Sequence, residues 1–141
     1  MKKKGEMQLS FGMIFSIILI IIFMAFTFFA IKKFLELQDT MKVTQFKEDL
    51  QSDIDKAWKS ESVSQKVSYV LPQKIEKVCF SRDEDPNLYF SPSVFDGKNM
   101  KNLNLEKITG VKTYSCFDVT KGKISFTLSK EYGEQLVMVT K

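Results

Sequence analysis

The chain contains no histidine. That absence removes Ser-His-Asp and Cys-His nucleophile systems, histidine-ligated metals and the commonest general base. There are only two cysteines, Cys79 and Cys116, with 36 residues between them. Without histidine they close a zinc site only if carboxylates supply two more ligands. The six glycines are scattered, so no glycine-rich phosphate loop exists. Arg82 is the one arginine, which leaves bidentate phosphate recognition poorly supplied. The surplus of one charge sign is small, at +4 for the whole chain. Setting aside Lys2, Lys3, Lys4 and Glu6 leaves 18 Lys+Arg against 16 Asp+Glu in residues 32–141. That balance argues against nucleic acid as a partner. No spacing singles out a Ser-Lys dyad. We therefore expect a protein that is not an enzyme, with no cofactor, no metal and no small-molecule substrate.

A different absence is the most informative. Residues 11–31, "FGMIFSIILIIIFMAFTFFAI", carry no charge. As a helix rising 1.5 Å per residue they span roughly 31 Å, close to the ~30 Å hydrocarbon layer of a bilayer. An export signal has a shorter apolar stretch and a small-x-small cleavage site, which "AFTFFAIKK" does not offer. A soluble core helix is rarely apolar all round over this length. The reading is a membrane span at residues 11–31 behind a basic tail at residues 1–10, with the lipid bilayer as partner.

Nothing breaks the helix beyond the span. No glycine lies between Met13 and Asp96, and the first proline is Pro72. Leu35, Val43, Phe46, Leu50, Ile54, Ala57 and Trp58 share one arc at 100° per residue, and Gln38, Lys42, Gln45, Glu48, Asp49 and Lys56 lie opposite. Residues 32–60 thus read as an amphipathic extension, giving one helix from about Leu9 to Lys59. The alternative is two helices with a hinge near Asp39 and Thr40. "SESVS" ends the helix, because serine prefers local backbone bonds.

Residues 61–141 read as a small β-rich domain. The period changes to two in "KVSYVL", "KIEKVCF" and "NLYFS", separated by Pro72-Gln73 and the acidic "SRDEDPN". "PSVFDGKNMKNLN" is looser. Then "VKTYSCFDVT", "KISFTLS" and "QLVMVTK" predict a C-terminal three-strand antiparallel meander, its first turn at Lys121-Gly122. Ile124, Phe126 and Leu128 give the sheet an apolar face that needs a cover. The expected fold class is α+β: a long N-terminal helix, transmembrane then amphipathic, packed on a small antiparallel sheet, with Trp58 capping its apolar face.

A basic leader, an apolar helix, its amphipathic continuation and a small antiparallel sheet together resemble type IV pilins and their archaeal relatives. "KKKG" followed by Glu6 is similar to leaders that prepilin peptidases cut after glycine, which would place cleavage between Gly5 and Glu6. The likeness covers about the first 60 residues. Archaeal leaders commonly carry Gln where this chain has Glu6. Bacterial pilins have a docking glutamate at the fifth mature position, here Ser10. The segment also resembles small archaeal single-span proteins, a likeness that implies no function.

Lysine counts on the two sides of the span barely differ, so orientation rests on other features. The cluster Lys2, Lys3 and Lys4 and the cysteine pair favour a cytoplasmic N-terminus and an extracytoplasmic domain. A Cys79–Cys116 disulfide would close a loop of about 38 residues, worth roughly 4 kcal/mol in the chain-entropy model. The alternative is two buried thiols in a cytosolic domain. Asp83, Glu84 and Asp85 read as a solvated acidic turn rather than a calcium site. Asp49 and Asp53 are helix neighbours, solvated or bonded to Lys56. Gly12 and Ser16 form a small-xxx-small pair suited to close helix approach and self-association. The functional expectation is a membrane-anchored structural or assembly protein, pilin-like. The alternative is an uncleaved single-span accessory or binding subunit.

Overall fold

The computed structural model describes residues 10–141. The chain divides into two units, one ending at Gln38 and the other Asp39–Lys141. A single helix, α1 (Phe11–Lys59), begins in the first and ends in the second, with no break at Asp39 or Thr40. The Ser10 carbonyl starts it by accepting from the Met13 and Ile14 amides at 2.8 and 3.3 Å. Lys56 and Lys59 lie in its last turn, where the backbone partial charge is negative. Lys130 adds a second positive group there. Its ammonium donates to the Trp58 and Ser60 carbonyls at 2.6 and 2.8 Å, satisfying acceptors that the helix leaves open.

In the second unit α1 is followed by β1 (Val63–Val70), β2 (Lys77–Ser81), β3 (Leu88–Ser91), α2 (Leu105–Thr109), β4 (Tyr114–Asp118), β5 (Lys123–Lys130) and β6 (Met138–Thr140). The strands form two antiparallel three-stranded sheets, ordered β1-β5-β6 and β3-β2-β4. Alternation sets the inner faces. Val67 and Tyr69 of β1 lie opposite Phe126 and Ile124 of β5, and all four are buried. Val78 of β2 lies between Phe90 of β3 and Phe117 of β4.

The expected C-terminal meander is not formed. Its last two strands pair, as β5 and β6, but β4 belongs to the other sheet. The Lys121-Gly122 turn itself is as expected. Both residues have positive φ, and Thr120 and Lys123 exchange backbone bonds of 2.9 and 3.0 Å. Pairing stops there because each strand has a better neighbour. Val119 continues along the β2 side through its amide bond to the Glu76 carbonyl at 2.8 Å. The eight residues of β5 are matched by the eight of β1, and Leu71 extends that pairing to the Gly122 carbonyl at 2.8 Å.

One core joins helix and sheets. Val43, Phe46, Leu50, Ile54 and Ala57 of α1 are buried in it. Phe46 meets Tyr69 of β1 and Phe90 of β3 edge-on, at centroid distances of 5.2 and 6.0 Å. Phe126 likewise reaches across to Phe80 and Phe117, at 6.0 and 5.1 Å. The amphipathic arc read from sequence is thus correct in its middle and too wide at its ends. Leu35 is 54% exposed, and burial on α1 begins only at Val43. Trp58 is 42% exposed and does not cap the apolar face. Ala57 takes the inward position, and a helix turns the next side chain by about 100°.

The looser stretch is held by side chains that substitute for strand pairing. The Asn87 amide group donates to the Met100 carbonyl at 2.9 Å and accepts from the Met100 amide at 2.7 Å. Gly97 is required for close approach: a Cβ there would lie 2.2 Å from the Leu88 carbonyl oxygen.

Candidate functional site

The first candidate surface is the apolar half of α1. Its large side chains from Phe11 to Ile31 are exposed, Leu19 least among them. Among the described residues α1 is the one helix long and apolar enough to cross a membrane, and it lies near the N-terminus. The few polar groups in this stretch are satisfied internally. Ser16 donates to the Gly12 carbonyl and Thr27 to the Phe23 carbonyl, each at 2.8 Å. Hydrocarbon offers no partner to an open hydroxyl, so these back-bonds suit a lipid environment. They also occupy the Ser16 hydroxyl, leaving the Gly12–Ser16 pair only its small size with which to admit a neighbouring helix. The Gly5–Glu6 cleavage pair lies outside the described residues.

The second feature is the cysteine pair. Cys79 and Cys116 face each other across β2 and β4 and are joined, with Sγ–Sγ 2.01 Å and Cα–Cα 4.0 Å. The bridge therefore joins neighbouring strands of one sheet. Cys79 is 1% exposed and Cys116 is half-buried, so the bridge staples β2 to β4 within the sheet.

The acidic groups are tied into local structure. Arg82, Asp83, Glu84 and Asp85 are exposed, and the Ser81 hydroxyl oxygen accepts the amides of Asp83 and Glu84 at 3.3 and 3.2 Å. Asp85 accepts from the Asn99 side chain. Asp53 pairs with Lys56 at 3.3 Å and accepts from the Tyr69 hydroxyl at 2.7 Å. Burial, that hydrogen bond and the charges of Asp53 and Asp49 hold the Tyr69 phenol well above its ordinary range, so it stays a neutral donor. Asp55 accepts from Gln51 at 2.8 Å and Asn102 at 3.0 Å, fastening the helix to the loop before α2. Among the described residues no group of three or more His, Cys, Asp or Glu is arranged to hold a metal ion.

One feature escaped the sequence reading. A cleft of about 450 Å³ in the second unit is lined by Lys42 of α1, Lys74 of the β1–β2 loop, Lys121 of the β4–β5 turn and Lys123 of β5, with Asp39 as its one carboxylate. These lysines are far apart in the chain, so no local motif announces them. Comparison with known protein families, curated proteins and solved structures finds no match to this chain.

Proposed function

We propose that this chain is a non-enzymatic structural or assembly protein. In this reading it is a pilin-like subunit, anchored by residues 11–31 as a single-pass span, that presents a small extracytoplasmic β domain. The observation that carries the reading is the division of α1. Its first part offers apolar side chains to the surroundings, while Val43, Phe46, Leu50, Ile54 and Ala57 of its second part belong to a folded core. A helix used in this way anchors a domain without containing a reaction centre. The disulfide supports a domain outside the cytoplasm, because such bridges persist in oxidising compartments. The partners that fit are the bilayer and other copies or membrane proteins meeting the apolar helix. Mass spectrometry of membrane-extracted protein tests the processing: a mature chain starting at Glu6 is expected, and an intact Met1 would overturn the pilin-type route.

A second reading is an uncleaved accessory subunit of a membrane complex. It is favoured by Ser10, which stands at the fifth position after Gly5, where bacterial pilins carry a docking glutamate. In that case Met1 is retained and the protein is recovered in a small defined complex instead of a filament.

A further inference from the structure

We propose that the lysine-lined cleft binds the anionic headgroups of phospholipids in the membrane that holds residues 11–31. This rests on the membrane-anchored reading above and adds a ligand to it. Four ammonium groups and one carboxylate line the cleft, a surplus of three positive charges. The whole of residues 32–141 has a surplus of only two, 18 against 16, so everything outside the cleft is slightly acidic in sum. Positive charge is therefore concentrated here rather than spread. Lys74 pairs with Asp39 at 3.2 Å, while no carboxylate pairs with Lys42, Lys121 or Lys123 among the described residues.

The backbone holds these like charges together. Leu71 donates to the Gly122 carbonyl at 2.8 Å, which locks the β1–β2 loop against the β4–β5 turn. Gly122 sits at φ 71°, and a Cβ on it would lie 2.9 Å from the Leu71 carbonyl oxygen, so the contact depends on glycine. Val70, 57% exposed, adds an apolar wall suited to the region beneath a headgroup phosphate. Lysine is a flexible point charge, and it suits phosphates held at variable depth better than a fixed bidentate geometry. Chain connectivity favours a membrane source. Seven residues lie between Ile31 and Asp39, so the chain from one to the other reaches at most about 29 Å.

Hydrogen exchange of the full-length protein in nanodiscs tests this. Nanodiscs of phosphatidylcholine alone are compared with nanodiscs containing added phosphatidylglycerol. Peptides covering residues 70–74 and 120–124 are expected to exchange several-fold more slowly with phosphatidylglycerol, and to lose that protection at high salt. In the Lys74→Gln/Lys123→Gln variant the difference should vanish, at about fivefold lower headgroup occupancy per lysine. Residues 11–31 report on the anchor itself. If they exchange freely in both discs, the membrane-anchored reading fails and the proposal with it. If they are protected while the cleft peptides ignore lipid charge, the cleft proposal alone is overturned. Equal protection by inorganic phosphate in phosphatidylcholine discs would assign the cleft to a soluble anion and also overturn it.

Discussion

Replacing Phe46 by alanine removes the side chain that touches both sheets at once. Phe46 is 2% exposed, and its ring meets Tyr69 at 5.2 Å and Phe90 at 6.0 Å. Truncating a buried phenylalanine costs about 3–5 kcal/mol, through lost transfer energy and the cavity left behind. The two edge-on ring contacts place this site toward the upper part of that range, since each contributes about 0.5–1.5 kcal/mol beyond area alone. The walls come from a helix and two sheets with separate backbone ladders, so they collapse poorly into the gap. For a domain of about 100 residues the loss corresponds to a fall in Tm of roughly 15–30 °C. Near-ultraviolet circular dichroism of the full chain in detergent reads the aromatic packing directly. Gln45→Ala, on the exposed side of the same turn, should shift stability by less than about 0.5 kcal/mol. Leu35→Ala should also leave the domain melting unchanged, because Leu35 is outside the core. Equal melting of Phe46→Ala and Gln45→Ala would refute the packing of α1 onto the sheets.

Leu19→Arg puts a charge in the middle of the apolar segment and costs about 2.5–3.5 kcal/mol on the insertion scale. Carbonate-washed membranes should then lose most of the protein, and full retention would refute the span. Cys79→Ser should lower stability by roughly 2–5 kcal/mol in denaturant titration, and the non-reduced wild-type chain should weigh two hydrogens less than the reduced one. An unchanged mass on reduction would remove the bridge from the account. For Tyr69 the folded-state pKa lies above its unfolded value, so the unfolded chain loses the phenolic proton first. Its contribution is complete below about pH 10 and declines above, by about 1.4 kcal/mol per pH unit for one proton. Tyr69→Phe should be less stable at neutral pH, through loss of the bond to Asp53, and should fall less steeply above pH 10. Parallel pH profiles for the two proteins would contradict this.

Several elements of the fold are written in short-range patterns. An uncharged stretch of bilayer length and a run free of glycine and proline set α1, because helix formation depends on residues a few positions apart. The alternation of Ile124, Phe126 and Leu128 set the buried face of β5, and Lys121-Gly122 set its turn. Strand partners are a different matter. Short strands of equal alternation compete for one another, and only the assembled core decides that β4 joins β2 and that β5 takes β1. That decision brings Cys116 opposite Cys79, where the sequence left both a disulfide and two free thiols open. It also carries Lys130 to the end of α1 and gathers Lys42, Lys74, Lys121 and Lys123 around one cleft. Residues this far apart in the chain meet only through the strand pairing and helix docking that lie between them. The extent of the buried face of α1 is tertiary too: periodicity marks the arc from Leu35 to Trp58, but only the neighbouring sheets determine that burial runs from Val43 to Ala57.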